Sequence, residues 1–183
     1  MKDNIKNILL RNCDDNGILR LTLNDLDNKN ALSELMIQKL VKAILEASKD
    51  NFVKVIVIAS TGNVFCSGHN LKEIQQACST DDNGESYYLE LFKSCSFLMQ
   101  SIINCSKPVI AEVNGIATAA GCQLVASCDL AIASNSSQFA TPGVNIGLFC
   151  STPMVAISRN ISKKDSMKML LTGDMISADE AKR

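Results

Sequence analysis

The sequence has no tryptophan, only three prolines and a single histidine, His69. One imidazole cannot build a histidine-rich metal site. The eight cysteines, at 13, 66, 78, 95, 105, 122, 128 and 150, include no C-x-x-C pair to cluster thiolates in its place. No metal is expected. An excess of one charge is also missing: 18 Lys and Arg against 19 Asp and Glu leave a net −1. That balance provides no basic field for nucleic acid or an anionic membrane. The longest unbroken apolar run, Val55 to Ala59, is five residues, against the ~20 that a membrane-spanning helix needs. There is no Walker A loop, no G-x-G-x-x-G fingerprint and no G-x-S-x-G elbow. Nucleotide hydrolysis, NAD chemistry and an elbow-type serine hydrolase are set aside.

What is present is enough apolar material for a core. Hydrophobic residues make up 46% of 183 and charged residues 20%, the balance of a globular chain, and the length suits one domain over residues 1–183. Several cysteines fall within apolar stretches, as small buried hydrophobes do. Met1 to Asn4 carries an early acid and no secretory signal. A reducing compartment follows, cytoplasmic or, in a eukaryote, the mitochondrial matrix, although no transit peptide is visible in this chain.

The hydropathy pattern alternates strands and helices. Asn7 to Arg11 and Ile18 to Leu23 flank Asn16-Gly17, a strong hairpin signal. Ser33 is placed to cap a helix carrying Met36, Ile37, Leu40, Val41, Ile44 and Leu45 at helical spacing. Val53 to Ala59 and Pro108 to Val113 read as strands covered on both faces, and Asp129 to Ser134 as a further strand. Leu71 to Cys78 suits a short helix, Ser79 to Gly84 a polar, mobile loop, and Glu85 to Asn104 a long helix. The small residues of Ile116 to Ala126 predict a tight loop entering a helix. This alternation defines an α/β chain with a largely parallel sheet. Ser177-Ala178-Asp179-Glu180 is a capping box three residues from Arg183, which leads to the expectation that a C-terminal helical segment is absent.

Two segments follow buried strands and are rich in small residues: Cys66-Ser67-Gly68-His69-Asn70-Leu71, and Asn114 through Cys122. Such segments bring backbone N–H groups close to a ligand, and a helix opening near Ala120 points its positive end at a developing anion. Paired donors would form an oxyanion hole. Tight helix–strand packing is the other reading of the same residues.

Taken together, Asn30-Ala31-Leu32, Phe65 through Leu71, Lys107-Pro108-Val109-Ile110-Ala111, Asn114-Gly115, Gly121-Cys122, Cys128-Asp129, Phe139 through Pro142 and Leu171-Thr172-Gly173 resemble the crotonase (enoyl-CoA hydratase/isomerase) superfamily from Asn7 to Arg183. The resemblance implies a spiral of ββα units. It also implies two oxyanion-hole amides at His69 and Ala120, with an acyl-CoA thioester threading past Asn30, Ala31, Cys66, Gly68, Asn70, Leu71, Gly121 and Pro142. Coenzyme A would arrive as part of the substrate, so no separate cofactor is implied. A homotrimer, or trimers paired as a hexamer, would be the assembly.

The departures from the family pattern weigh as much as the matches. The two catalytic glutamates of the hydratases fall on Gln123 and Gly143. Glutamine can orient water but cannot take its proton, and glycine offers no group at all. Acyl-CoA binding in fatty-acid metabolism is therefore a firmer expectation than hydration, and glutamates restored at 123 and 143 are expected to restore hydration. Decarboxylation or thioester hydrolysis, which lean on the oxyanion hole, are the enzymatic alternatives. A non-catalytic regulatory or interaction subunit that kept the fold is the alternative from another class.

Overall fold

The computed structural model describes residues 7–183; the N-terminal Met1 to Asn4 lies outside the described residues. The chain opens with the expected hairpin, β1 (Leu9–Cys13) antiparallel to β2 (Ile18–Leu23). The Asp14 carboxylate closes its turn by accepting the Asn16 and Ile18 N–H groups at 3.0 and 2.8 Å. Helix α1 (Glu34–Lys49) starts at Ser33, whose hydroxyl accepts the Met36 N–H at 3.2 Å. It returns the chain to β3 (Val55–Ser60), parallel to β2.

From β3 onward the chain winds as a spiral between two sheets. Each turn adds one strand to a large sheet ordered β1-β2-β3-β5-β7 and one to a small sheet ordered β4-β6-β8-β9. The large-sheet members are β5 (Val109–Val113) and β7 (Leu130–Ala133), parallel to their neighbours. The small sheet holds β4 (Val64–Cys66), β6 (Ile116–Thr118) and β8 (Gln138–Ala140), with β9 (Ile176–Ser177) antiparallel at its edge. This is the expected α/β spiral. Four short strands of the small sheet, two or three residues each, were not separable from loops in the sequence, because so short a run carries no period to read.

The helices cover the large sheet. Met36, Ile37, Leu40 and Ile44 of α1 are buried with Leu19, Leu21, Leu23, Ile56 and Ile58 in one continuous core. Helix α2 (Leu71–Ala77) is followed by α3 (Glu85–Ile103). The segment before α3, expected as a mobile loop, is a series of hydrogen-bonded turns. Ser86 foremost, its N–H donating to Asp82 at 3.0 Å, then the Thr80 hydroxyl at 2.7 Å and the Gly84 N–H at 3.1 Å hold the Asp82 carboxyl well below the usual range. Helices α4 (Ala120–Ser127), α5 (Ser151–Asn160), α6 (Lys163–Thr172) and α7 (Ala178–Lys182) complete the chain. The capping box at α7 is half formed: Ser177 accepts the Glu180 N–H at 3.2 Å, while the Glu180 carboxylate pairs with Lys168 at 3.0 Å. All eight cysteines are free thiols, and Cys66, Cys95, Cys122 and Cys150 are buried. Burial pushes the Cys66 and Cys122 thiols up to about 12, so both are neutral packing groups.

Candidate functional site

The two small-residue segments meet at the C-terminal ends of β4 and β6. Parallel pairing sets Cys66 beside Ala117, and the Thr118 hydroxyl donates to the Ser67 carbonyl at 3.1 Å. Gly68 has φ +93°, and a Cβ there would sit 3.0 Å from Ala119 Cβ and 3.3 Å from the Ala120 nitrogen. A side chain at 68 would therefore wedge the two segments apart. Gly121 permits the other half of the approach, since a Cβ on it would overlap the Cys66 carbonyl. Both glycines are required by contact, and both bring His69 and Ala120 together.

Among the described residues neither the His69 nor the Ala120 N–H has a backbone acceptor. Ala120 is the first residue of α4, so its amide points out of the helix unsatisfied. His69 is held from the other side: the Leu32 N–H donates to the Gly68 carbonyl at 2.7 Å, in a parallel bridge that pairs Leu32 with His69. Ala119, which precedes the helix, has φ 51° and ψ −121°, with no side-chain cap. Alanine disfavours that conformation. Its N–H to the Ala140 carbonyl (3.0 Å) and its carbonyl to the Gln123 N–H (3.0 Å) hold it there. A strained residue that aims a free amide is the strongest local sign of a site, and sequence patterning does not show it, because alanine carries no turn signal.

The surrounding residues divide into braces and walls. The Asn30 side chain is fully buried, accepting the Asp25 N–H at 2.7 Å and donating to the Thr61 and Val64 carbonyls at 3.0 and 2.8 Å. Its side chain thus braces the loop and offers no polar atom to a ligand. Ala31 and Cys66 are buried beside it. Asn70 caps α2 through the Lys72 N–H at 3.1 Å, and Leu71 is an exposed apolar residue on the first turn. Pro142 and Gly143 begin a five-residue 3₁₀ segment, Pro142–Ile146, two residues after β8. Gly143 is glycine because of crowding, not because of its φ, which lies outside the left-handed region. A Cβ there would overlap the Leu148 carbonyl and lie 2.8 Å from Cys150 Sγ. A glutamate restored at 143 would therefore meet backbone as well as the Cys150 side chain.

A cleft of about 560 Å³ opens between α3, α4 and α5, lined by Phe92, Met99, Gln123, Ala126, Thr152 and Arg159 among others. Gln123 is only 7% exposed, and its Oε1 has no hydrogen-bond partner. Both ring nitrogens of His69 are likewise buried and unpartnered, and its ring packs edge-on against Phe92 with centroids 5.8 Å apart. Burial lowers the imidazole's proton affinity, a shift opposed by the nearby Leu32 carbonyl, which makes no hydrogen bond of good geometry with the ring. Among the described residues no three His, Cys, Asp or Glu side chains gather to hold a metal, and no helix is long and apolar enough to cross a membrane.

The chain is thus a two-sheet α/β spiral in which the segments carrying His69 and Ala120 meet at the ends of adjacent strands. The profile of the enoyl-CoA hydratase/isomerase family matches residues 14–183, and the chain belongs to that family. It is 54% identical over 167 residues to the mitochondrial enoyl-CoA hydratase domain-containing protein 3 of Xenopus laevis, covering 91% of this chain and 55% of that protein. It is 52% identical over 165 residues to the human protein of the same name, covering 90% and 53%. Among solved structures, an enoyl-CoA hydratase of Mycobacterium smegmatis superposes with TM-score 0.89 at 47% identity, covering 96% of this chain and 66% of that one. The human domain-containing protein 3 superposes with TM-score 0.88 at 49% identity, covering 95% and 66%. The chain spans about half the length of the curated relatives it matches.

Proposed function

We propose that the chain binds an acyl-CoA thioester with its carbonyl oxygen between the His69 and Ala120 amides. The observation that carries this reading is the pair of unsatisfied N–H groups, aimed by a strained Ala119 and brought together by Gly68 and Gly121. Two fixed donors stabilise an oxygen that gains negative charge far better than mobile water does, because they need no reorganisation as the charge develops. The acyl chain would then run toward the cleft between α3 and α4. Gln123 and Gly143 stand where the hydratase glutamates fall, so the reading favours enolate-stabilising chemistry, or binding alone, over hydration. Within it, a mitochondrial location, as the names of the relatives state for those proteins, takes precedence over the cytoplasmic alternative. Trimeric assembly is part of the same reading, supported by exposed apolar residues such as Leu130 and Ile132 on β7, 60% and 63% exposed. Light scattering reads that assembly directly.

Calorimetric titration with a panel of acyl-CoA thioesters, followed by mass-spectrometric turnover of those that bind, tests the function. Saturable binding of thioesters but not of free coenzyme A is expected. Absence of any thioester binding would transfer the chain to the interaction-subunit class.

A further inference from the structure

One corner of the cleft between α3, α4 and α5 holds hydrogen-bond donors and no acid. Helices α4 and α5 run side by side in the same direction. At their C-terminal ends the Asn160 side chain donates to the Ala126 carbonyl at 2.9 Å, and at their N-terminal ends the buried Cys122 and Cys150 thiols lie close enough to interact. The positive ends of both helix dipoles therefore fall at the same end of the cleft, where Gln123 and Thr152 form its walls. Helix α5 starts at Cys150 without a side-chain cap, and the Thr152 N–H has no backbone acceptor among the described residues. Gln123 is 7% exposed, its Oε1 is buried without a partner, and its side chain makes no hydrogen bond among the described residues. An amide so enclosed is costly to leave unpaired. Position 143 adjoins the same corner, since a Cβ there would lie 2.8 Å from Cys150 Sγ, just ahead of α5. With glutamine at 123 and glycine at 143, no carboxylate stands here. The acid that does line the cleft, Asp129, lies beyond the far end of α4, about 12 Å of helix away, and accepts the Val109 N–H at 2.7 Å.

We infer that this corner receives a carboxylate carried by the acyl group itself, so that the thioester the chain prefers is that of a short dicarboxylic acid. The inference rests on the amide-pair reading above. A carboxylate brings acceptors only, which is what the Thr152 N–H and the Gln123 amide call for. A half-turn of the Gln123 amide exchanges its oxygen and its NH₂, so the donor can be turned to the ligand. Hydrogen bonds to an ionised oxygen are the strong kind, and the start of α5 adds the favourable field of its dipole. Distance selects the length of the acid. Gln123 stands about 5 Å along α4 from Ala120, whose N–H would hold the thioester oxygen. Two or three carbon–carbon bonds span that gap, which corresponds to a succinyl group. Charge selects against the alternatives. A glutamate at 123 would meet such a group with a like charge, where glutamine donates to it. An acyl chain ending in a methyl group would leave the buried amide unpaired against hydrocarbon.

The probes are succinyl-CoA and butyryl-CoA, which share the coenzyme and a four-carbon acyl chain and differ in the terminal carboxylate. Calorimetric titration of the wild-type chain should show succinyl-CoA bound about 10-fold more tightly, the size of one hydrogen bond to a charged group. That comparison needs no variant. Two substitutions then assign the preference to the corner, with circular dichroism confirming that each is folded. Gln123→Met keeps the length of the side chain and removes its donors, and should bring the ratio of the two affinities close to one. Gln123→Glu sets charge against charge, and should reverse the ratio in favour of butyryl-CoA. Equal wild-type affinities for the two thioesters, or a preference that neither substitution moves, overturns this inference and leaves the amide-pair reading intact. Binding of neither thioester by the wild type overturns both.

Discussion

The two sides of the site are built by opposite means. On the amide side, residues 66–71 and 118–121, three unfavourable features are retained: a positive φ at Ala119 and two N–H groups without acceptors. Gly68 and Gly121 keep that geometry open by removing side chains between two backbones. On the side where the hydratase glutamates would stand, glycine does the reverse. At 143 it lets the 3₁₀ segment close onto Leu148 and Cys150, and the Leu148 N–H donates to the Gly143 carbonyl at 2.9 Å. One side keeps backbone amides free, whereas around Gly143 the chain closes on itself and, of the buried side-chain atoms there, only Gln123 Oε1 is left without a partner. In the proposed reading, strain held in place by surrounding structure marks the binding side, and the packing around Gly143 is relaxed.

The largest effect should come from forcing a side chain into the closed side. Gly143→Glu places a Cβ against the Leu148 carbonyl, and we expect it to cost about 3 kcal/mol or more, at the upper end for overpacking. Urea denaturation reads the loss. Equal stability to wild type would show that residues 141–150 yield readily and that the two sides are not so different. For the same reason the Gln123→Glu/Gly143→Glu double variant should not become a working hydratase.

Next is the amide side itself. Ala120→Pro removes one donor, and Ala120→Gly keeps it. With circular dichroism confirming that both are folded, acetoacetyl-CoA affinity should fall by about 100-fold in the proline variant and change little in the glycine variant. Similar affinities in the two would remove Ala120 from the site.

Somewhat smaller is the cost of removing the brace. Asn30→Ala deletes three hydrogen bonds, one from Asp25 that closes the 25–30 loop and two that tie it to Thr61 and Val64. We expect a loss of about 2 kcal/mol in urea denaturation, with thioester affinity reduced only as far as the loop is displaced. The smallest effect has the opposite sign. Ala119→Gly relieves the left-handed φ, and should stabilise the fold by about 1 kcal/mol at unchanged thioester affinity. A destabilised Ala119→Gly would mean that the conformation is not strained.

Much of the fold was legible in the sequence because its large elements are long and periodic. The hairpin at Asn16-Gly17, the Ser33 cap, α1 and α3, and the strands of the large sheet all carry a period or a cap that local physics explains. The small sheet was illegible for the opposite reason: its strands are two or three residues long and are fixed by pairing with distant neighbours. Helices α5 and α6 also passed unread, with Val155 and Leu171 exposed on faces that blur the helical stripe. At the site, the glycines at 68 and 121 pointed to the close approach of the two segments, which the structure contains. The positive φ of Ala119, the bracing role of Asn30 and the crowding at Gly143 came only with the three-dimensional contacts, since each depends on a residue far along the chain.

The central claim is that two particular backbone amides hold the thioester oxygen. Amide proton chemical shifts of the ¹⁵N-labelled chain, followed during titration with an acyl-CoA thioester, report on it most directly. The account predicts that the His69 and Ala120 amide protons move downfield together and saturate with binding, and that free coenzyme A does not produce the shift. Saturable binding that leaves those two resonances in place would contradict it.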